Sequence, residues 1–304
     1  MPELPEVETV RAGLAKSITN ATVTGLRIHD PRSLKRHLSG VQDFQTKLVG
    51  SKVLDVVRRG KFLWLPLGGG TTALVGHLGM SGQMLVRTHE FPEDKLNRVT
   101  IEFETKAGEA LELRFVDQRI FGSLAIDDLT QTRDGGAGGF SAGKNRDKPW
   151  ENLIPISASH IARDPLDEAF DKKAVIEKIR NRKSGIKRVL LDQNLLSGIG
   201  NIYADESLWL AKLHFDRLAD GISRAKLGEL LDISNQVLKA AVSQGGTSFD
   251  QQYKNVNGES GFFSQQLYAY GQTDKPCARC QSPIRRQAWA NRGSHFCPKC
   301  QRPS

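Results

Sequence analysis

The sequence predicts an α+β multidomain chain: an antiparallel β-sandwich or barrel first, helices after it, and a small cysteine-bearing hairpin last. Three observations predict this. Short β-rich runs separated by glycine-rich turns fill residues 22–126. The hydrophobic period becomes helical from 158 onward. All four cysteines, Cys277, Cys280, Cys297 and Cys300, fall within the last 28 residues.

The chain opens on a helix. Pro5 suits its first position, Glu6 and Glu8 complement the dipole in the first turn, and Val7, Val10 and Leu14 share a face. The β-rich runs follow: Lys52–Val57, Lys61–Leu67, Ala73–His77, Gln83–Val86, Val99–Phe103 and Leu111–Phe115. Residues 129–155 are rich in glycine and charge and lack a period, which predicts a linker or flexible insertion. Residues 223–243 carry Leu227, Leu230, Leu231, Val237, Leu238 and Ala241 at helical spacing and stop at Gly245–Gly246. Residues 246–262 read as a polar loop. Gly198-Ile199-Gly200 begins like a dinucleotide fingerprint, but Tyr203 stands where a third glycine belongs and no clean strand precedes it. The better reading is a tight turn into a helix capped by Asn201, with Asp205 and Glu206 in its first turn. Free N–H groups at such a start suit a phosphate.

The cysteines run C-x2-C-x16-C-x2-C. That spacing fits a zinc ribbon, in which each pair supplies two thiolates to a tetrahedral ion. The competing reading, two disulfides, is disfavoured in a cytosolic chain. With four thiolates the metal is structural and folds a segment too small to fold alone. Arg285, Arg286, Arg292 and His295 lie between the cysteine pairs, and the arginines are expected to face outward to phosphate.

Lys+Arg number 43 against 34 Asp+Glu, a formal charge of +9. No apolar run approaches the roughly 18 residues of a membrane span. The N-terminus MPELPEVE is acidic where a secretory signal is basic and apolar. These features imply a cytoplasmic protein, no membrane partner, and a polyanionic ligand. Three basic clusters sharpen the last point: 265–304 with net +6, KIRNRKSGIKR over 178–188, and Arg58-Arg59 with Lys61.

PELPEVE, RRGKFL, HLGMSG, DQRIFG, KSGIK followed by LLDQ, SGIGNIYADESL and the terminal cysteine pattern occur in that order. In these motifs the chain resembles the bacterial formamidopyrimidine-DNA glycosylases, base excision repair enzymes that remove 8-oxoguanine and ring-opened purines. The resemblance runs from Pro2 to Gln301 and leaves out only 129–155. It implies an N-terminal β-sandwich with flanking helices over 1–128, a linker or insertion over 129–157, a helix–two-turn–helix domain over 158–262 with a lesion-capping loop at 246–262, and a zinc-finger β-hairpin over 263–304.

The resemblance also implies a bifunctional glycosylase and lyase acting on double-stranded DNA with oxidised purines. One structural zinc ion is expected, with no redox or nucleotide cofactor, in a monomer that joins the nucleoid during repair. Pro2 would be the nucleophile once Met1 is trimmed. Glu3 would be the general acid/base, and Glu6 a second carboxylate ordering the site. Lys61 would contact phosphate and transfer protons in β-elimination, and Arg292 would serve phosphate binding and δ-elimination. His77, Asn201 and Tyr270 match further phosphate contacts, with Lys178 and Lys183 in the neighbouring basic segment. Met80, Arg119 and Phe121 resemble the three side chains that fill the void left by a flipped lesion. The chain departs from the family at Ile120, where a second arginine is usual, at Asn291, where Gln or Gly is common, and near Leu96–Arg98, where a histidine is absent. The sister class acting on oxidised pyrimidines, endonuclease VIII-like, shares Pro2 and Glu3 but typically starts PEGPE. A non-catalytic DNA-binding paralogue has no need of Pro2, Glu3, Lys61 and Arg292 together.

Overall fold

The computed structural model describes residues 2–141, 147–247, 256–257, 263 and 267–303. The chain divides into two units, one of residues 1–160 with 245–262, the other of 161–244 with 263–304.

The first unit begins with α1 (Leu4–Ile18), capped by Glu3 with Pro5 in its first turn. Val7, Val10, Leu14 and Ile18 make its buried stripe. Then come β1 (Thr22–Ile28), α2 (Gly40–Leu48), β2 (Val57–Arg59), β3 (Phe62–Pro66), β4 (Thr72–His77), β5 (Gly82–Arg87), β6 (Asn97–Glu104), β7 (Ala110–Asp117), β8 (Ser123–Gln131) and β9 (Leu153–Pro155). They form two antiparallel sheets, ordered β1-β6-β7-β5 and β2-β3-β4-β8-β9. One apolar core joins them: Leu63, Leu65 and Leu74 of one sheet, Val99, Ile101, Leu113 and Phe115 of the other, with Phe44 and Leu48 of α2. Gly76 marks the close approach of the sheets, since a Cβ there would lie 2.2 Å from Met84 Cε.

Two expectations shift. The run Lys52–Val57 is mostly not strand: Lys52 and Val53 make single bridges to Thr22 and Leu67, and pairing proper starts at Val57. The stretch expected as a linker carries structure at both ends. β8 extends to Gln131, and β9 pairs back on it through Leu129↔Pro155. A period-free sequence can still form a strand when its partner supplies the hydrogen bonds.

The second unit contains α3 (Lys172–Arg180), α4 (Ile186–Leu190), α5 (Asn201–Leu210) and α6 (Arg224–Ser243). Ser223 caps α6 by accepting from the Lys226 N–H. The hairpin of β10 (Arg285–Trp289) and β11 (Arg292–Phe296) follows, paired Trp289↔Arg292. Its two-residue turn holds Ala290 at φ 44° and Asn291 at φ 59°. Positive φ at both positions is what a type I′ hairpin requires, and Asn tolerates it better than most residues. The departure at Asn291 is thus compatible with the turn that starts β11 at Arg292. No helix of the described residues is long and apolar enough to cross a membrane.

Candidate active site and nucleic-acid interface

The start of α1 is a dense acidic corner. Pro2 is buried, as are Glu3 and Glu6. The Glu3 N–H donates to Glu6 Oε2 at 2.8 Å, one half of a capping box. The other Glu6 oxygen accepts from the Thr247 N–H at 2.8 Å and its hydroxyl at 3.0 Å. Gly246, at φ +84°, lets the chain pass this carboxylate, because a Cβ would sit 2.8 Å from Glu6 Oε1. Apart from Gly246, Thr247, Val256 and Asn257, the loop 246–262 lies outside the described residues.

Lys61 occupies the two-residue turn between β2 and β3, after Gly60 at φ +56°. It is half-buried. Its neighbours correct the charge-cluster expectation. Arg58 is 1% exposed and donates to Glu8 Oε2 at 2.9 Å. Arg59 is also buried and donates to the Ala137 carbonyl at 2.9 Å. These two arginines brace the fold from inside and present no face to phosphate. His77 ends β4, half-buried beside Phe62. Burial, with Arg36 and Lys35 nearby, pulls its pKa down to about 4, so it is neutral at pH 7.

Met80 and Phe121 are 42% and 45% exposed. Arg119 lies 4.8 Å over the Phe121 ring. The two loops that carry them are tied by Asp117, the fully buried first residue of the DQRIFG motif, to which the sequence assigned no role. Its carboxylate accepts from Ser81 Oγ at 2.5 Å, the Arg119 N–H at 3.1 Å and the Gly122 N–H at 2.7 Å. Gly79 completes the seam, since a Cβ would lie 2.6 Å from the Gly122 nitrogen. Ile120 sits between Arg119 and Phe121 at φ 54°, a conformation that costs a β-branched residue about 1–3 kcal/mol. Its carbonyl accepts from Lys35 Nζ at 2.6 Å.

In the second unit Asn201 is the first residue of α5, and Gly200 holds the cap position expected of Asn201. The Asn201 amide instead donates to the Gly293 carbonyl at 3.0 Å, tying α5 to β11. Lys178, Lys183 and Arg292 are exposed. Lys187, counted in the basic run, is 0% exposed. Its Nζ lies 2.6 Å from Asp205 and 2.8 Å from Ser294 Oγ. The other Asp205 oxygen accepts from the His295 N–H at 2.9 Å, so His295 turns inward. Glu206 accepts the N–H groups of Tyr268, Ala269 and Tyr270 and so fixes the segment bearing Tyr270. Burial pushes its carboxyl up, and those three bonds pull it back. Tyr270 packs edge-on against His295 at 4.8 Å.

The four cysteine sulfurs lie within 4.8 Å of one another. Cys280 Sγ and Cys297 Sγ are 3.4 Å apart, far beyond a disulfide bond of about 2.05 Å. A tetrahedral thiolate site with bonds of about 2.3 Å fits this cluster.

An acidic helix start, exposed apolar side chains on paired loops, and a four-cysteine hairpin tied to a helical unit define the architecture of a DNA-repair glycosylase. Comparison with known proteins agrees. Residues 1–124 match the model of the formamidopyrimidine-DNA glycosylase N-terminal domain, and 161–252 that of its H2TH domain. A formamidopyrimidine-DNA glycosylase of Leifsonia xyli subsp. xyli is 51% identical over 99% of this chain and 100% of its own. One from Rhodococcus opacus is 49% identical over 99% and 97%. The complex of Lactococcus lactis FPG (MutM) with Fapy-dG-containing DNA aligns with TM-score 0.79 at 31% identity, over 99% of this chain and 100% of that one. MutM in complex with carbocyclic 8-oxo-G-containing DNA aligns at 0.80 and 32% identity, over 99% and 100%. The chain belongs to the formamidopyrimidine-DNA glycosylase family.

Proposed function

We propose that this protein excises oxidised purines, 8-oxoguanine and formamidopyrimidines, from double-stranded DNA and then nicks the strand by β,δ-elimination. The observation that carries this is the burial of Pro2 with two carboxylates, Glu3 and Glu6, at one helix start. An α-amine titrates near pH 8, so with Met1 removed a usable fraction of the proline amine is neutral at pH 7.

The Pro2 nitrogen lone pair forms a bond to C1′ as the glycosidic bond breaks, and the base leaves with the electron pair of the glycosidic bond and takes up a proton. Glu3 exchanges protons at the base and the sugar ring oxygen, and ring opening leaves a cationic iminium. The cation acidifies C2′. Loss of a C2′ proton expels the 3′-phosphate, with Lys61 at the phosphate and moving protons. A second elimination expels the 5′-phosphate, with the Arg292 guanidinium bidentate to it. Met80 and Phe121 replace the lost stacking, and Arg119 pairs with the orphaned cytosine. His77, Lys178, Lys183, Asn201 and Tyr270 hold the backbone. Cys277, Cys280, Cys297 and Cys300 hold one zinc ion, which folds the hairpin and takes no part in chemistry.

The test is a duplex with one 8-oxoguanine opposite cytosine, incubated with and without borohydride. Base release, nicking and a crosslink mapping to Pro2 are expected. A crosslink that survives when a residue precedes Pro2, with nicking at the untagged rate, moves the nucleophile elsewhere.

A further inference from the structure

The segment the family resemblance leaves out holds a side chain with a definite task. Residues 137–140 lie along β2. Phe140 and Arg58 exchange both backbone hydrogen bonds, at 2.7 and 2.9 Å. Ala137 accepts from the Arg59 guanidinium at 2.9 Å. Gly138 and Gly139 permit this approach. A Cβ on Gly138 would overlap the Leu153 carbonyl, and one on Gly139 would lie 2.3 Å from the Arg58 carbonyl.

This backbone track sets the Phe140 ring against a buried ion cluster. Glu8 on α1 accepts from Arg11 at 2.9 Å and from Arg58 at 2.9 Å. The Phe140 ring centre lies 5.2 Å from the Arg11 guanidinium carbon and 5.7 Å from that of Arg58. One ring thus meets both guanidiniums that share a single carboxylate, within cation–π range. The ring itself is 40% exposed, so it stands between the cluster and water. Removing water from an ion cluster strengthens every attraction inside it.

The cluster joins the two pieces that carry the proposed chemistry. Glu8 and Arg11 belong to the helix that starts after Pro2 and Glu3. Arg58 lies on the strand that runs through Arg59 and Gly60 into Lys61, and its guanidinium also donates to the Gly60 carbonyl at 3.3 Å. Arg11 closes the joint by donating to the Val56 carbonyl.

We propose that Phe140 is a positioning residue: its ring locks the Arg11–Glu8–Arg58 cluster and so fixes the Lys61 turn relative to the Pro2 helix. This rests on the roles of Pro2 and Lys61 given above. Its signature is a loss in the chemical steps with binding preserved, because Phe140 acts through the cluster.

The experiment compares full-length Phe140→Ala, Phe140→Leu and Phe140→Tyr with the parent, all bearing a free Pro2. Single-turnover nicking of an abasic-site duplex is measured beside affinity for a tetrahydrofuran duplex and the melting temperature. Phe140→Ala should nick about tenfold slower or worse, as small misplacements of reacting groups do, with affinity within about twofold. Phe140→Tyr keeps the ring and should restore the rate. Phe140→Leu keeps bulk without a π face and should stay slow. Parental nicking by folded Phe140→Ala, or rescue by Leu equal to Tyr, overturns the proposal. So does a rate loss that only follows the unfolded fraction. Failure of the underlying reading looks different: the parent itself would nick without a borohydride crosslink at Pro2.

Discussion

The Glu6 carboxylate holds Thr247, 241 positions away, by two hydrogen bonds to one oxygen, while its other oxygen holds the Glu3 N–H. Glu6 therefore does more than complement the helix dipole. It joins the proposed catalytic N-terminus to Thr247, in the proposed lesion-capping loop. Substitution separates this clasp from the dipole effect. Glu6→Gln keeps the size, but its amide nitrogen cannot accept a hydrogen bond, so one of the two anchored ends must let go. A loss of about 1.5–3 kcal/mol is expected by denaturant unfolding, the worth of hydrogen bonds to a charged group. Thr247→Val removes only the hydroxyl bond and should cost about 1 kcal/mol. Equal costs for the two would mean that the Glu6 carboxylate is not the shared anchor.

Asp117 organises the loops that carry the proposed probes, Met80, Arg119 and Phe121. Its carboxylate takes N–H groups on either side of Ile120 and the Ser81 hydroxyl from the loop of Met80. Asp117→Asn retains the volume but has one acceptor oxygen for three donors. Base excision from an 8-oxoguanine duplex should slow about tenfold or more, through loss of probe geometry. Nicking of a pre-formed abasic site, where no intact base must be expelled, should suffer less. Arg119→Ala should leave excision opposite cytosine working while blunting the preference for cytosine over adenine, a contact worth roughly 1–3 kcal/mol. An unchanged ratio would assign the reading of the opposite base elsewhere.

What the sequence made legible was local. The helix after Pro2 and the cysteine spacing are written in adjacent residues, and each stands where expected, while Lys61, expected to start a strand, lies in the turn just before β3. What it hid was which charges turn inward. Arg58 and Lys187 read as members of basic runs because their partners are remote: Glu8 is 50 positions from Arg58, and Asp205 is 18 from Lys187. Asp205 and Glu206 read as first-turn acids of α5, yet one pairs with Lys187 and the other gathers three N–H groups near 269. Helix α2 escaped notice because a nine-residue element with two buried apolar residues, Phe44 and Leu48, leaves little periodic signal. Asp117 opens the DQRIFG motif, but its role stayed hidden because its partners are the Ser81 hydroxyl, 36 positions away, and two backbone N–H groups.

Salt and acid should distinguish two of the proposed phosphate contacts. Arg292 is an exposed cation, so Arg292→Ala should make the slope of log affinity against log salt shallower by about 0.9. His77 is neutral at pH 7, with its pKa pulled down to about 4 by burial, so His77→Gln should weaken binding and leave that slope alone. The same burial fixes a stability trend. The unfolded chain takes up the histidine proton near pH 6.5, and the folded chain does so only near 4. Between those values the unfolded state binds more protons, so the contribution is complete above about pH 6.5 and is lost as pH falls toward 4. From pH 7 to 5 the parent should lose more melting temperature than His77→Gln. Parallel losses would mean that His77 protonates as easily folded as unfolded.

The Lys187–Asp205 pair makes the strongest demand on the second unit. Both side chains are essentially sealed from water, and their bonds run to Ser294 and His295, which follow Arg292 on β11. Breaking a buried pair by removing one partner costs about 3–5 kcal/mol, since the other charge is left uncompensated. Lys187→Met strands Asp205 in this way. Lys187→Met with Asp205→Leu removes both charges and should recover much of the loss. The hairpin has a second support in its cysteine cluster, so the two should act together on Arg292. Chelation of the bound metal in the parent should weaken DNA affinity as Arg292→Ala does, and Lys187→Met should release the metal at lower chelator concentration. The measurement is metal content and DNA affinity across a chelator titration. If Lys187→Met holds its metal as tightly as the parent, the buried pair and the cysteine hairpin are independent supports, and the anchoring of Arg292 rests on the cysteines and the Asn201 bond to Gly293.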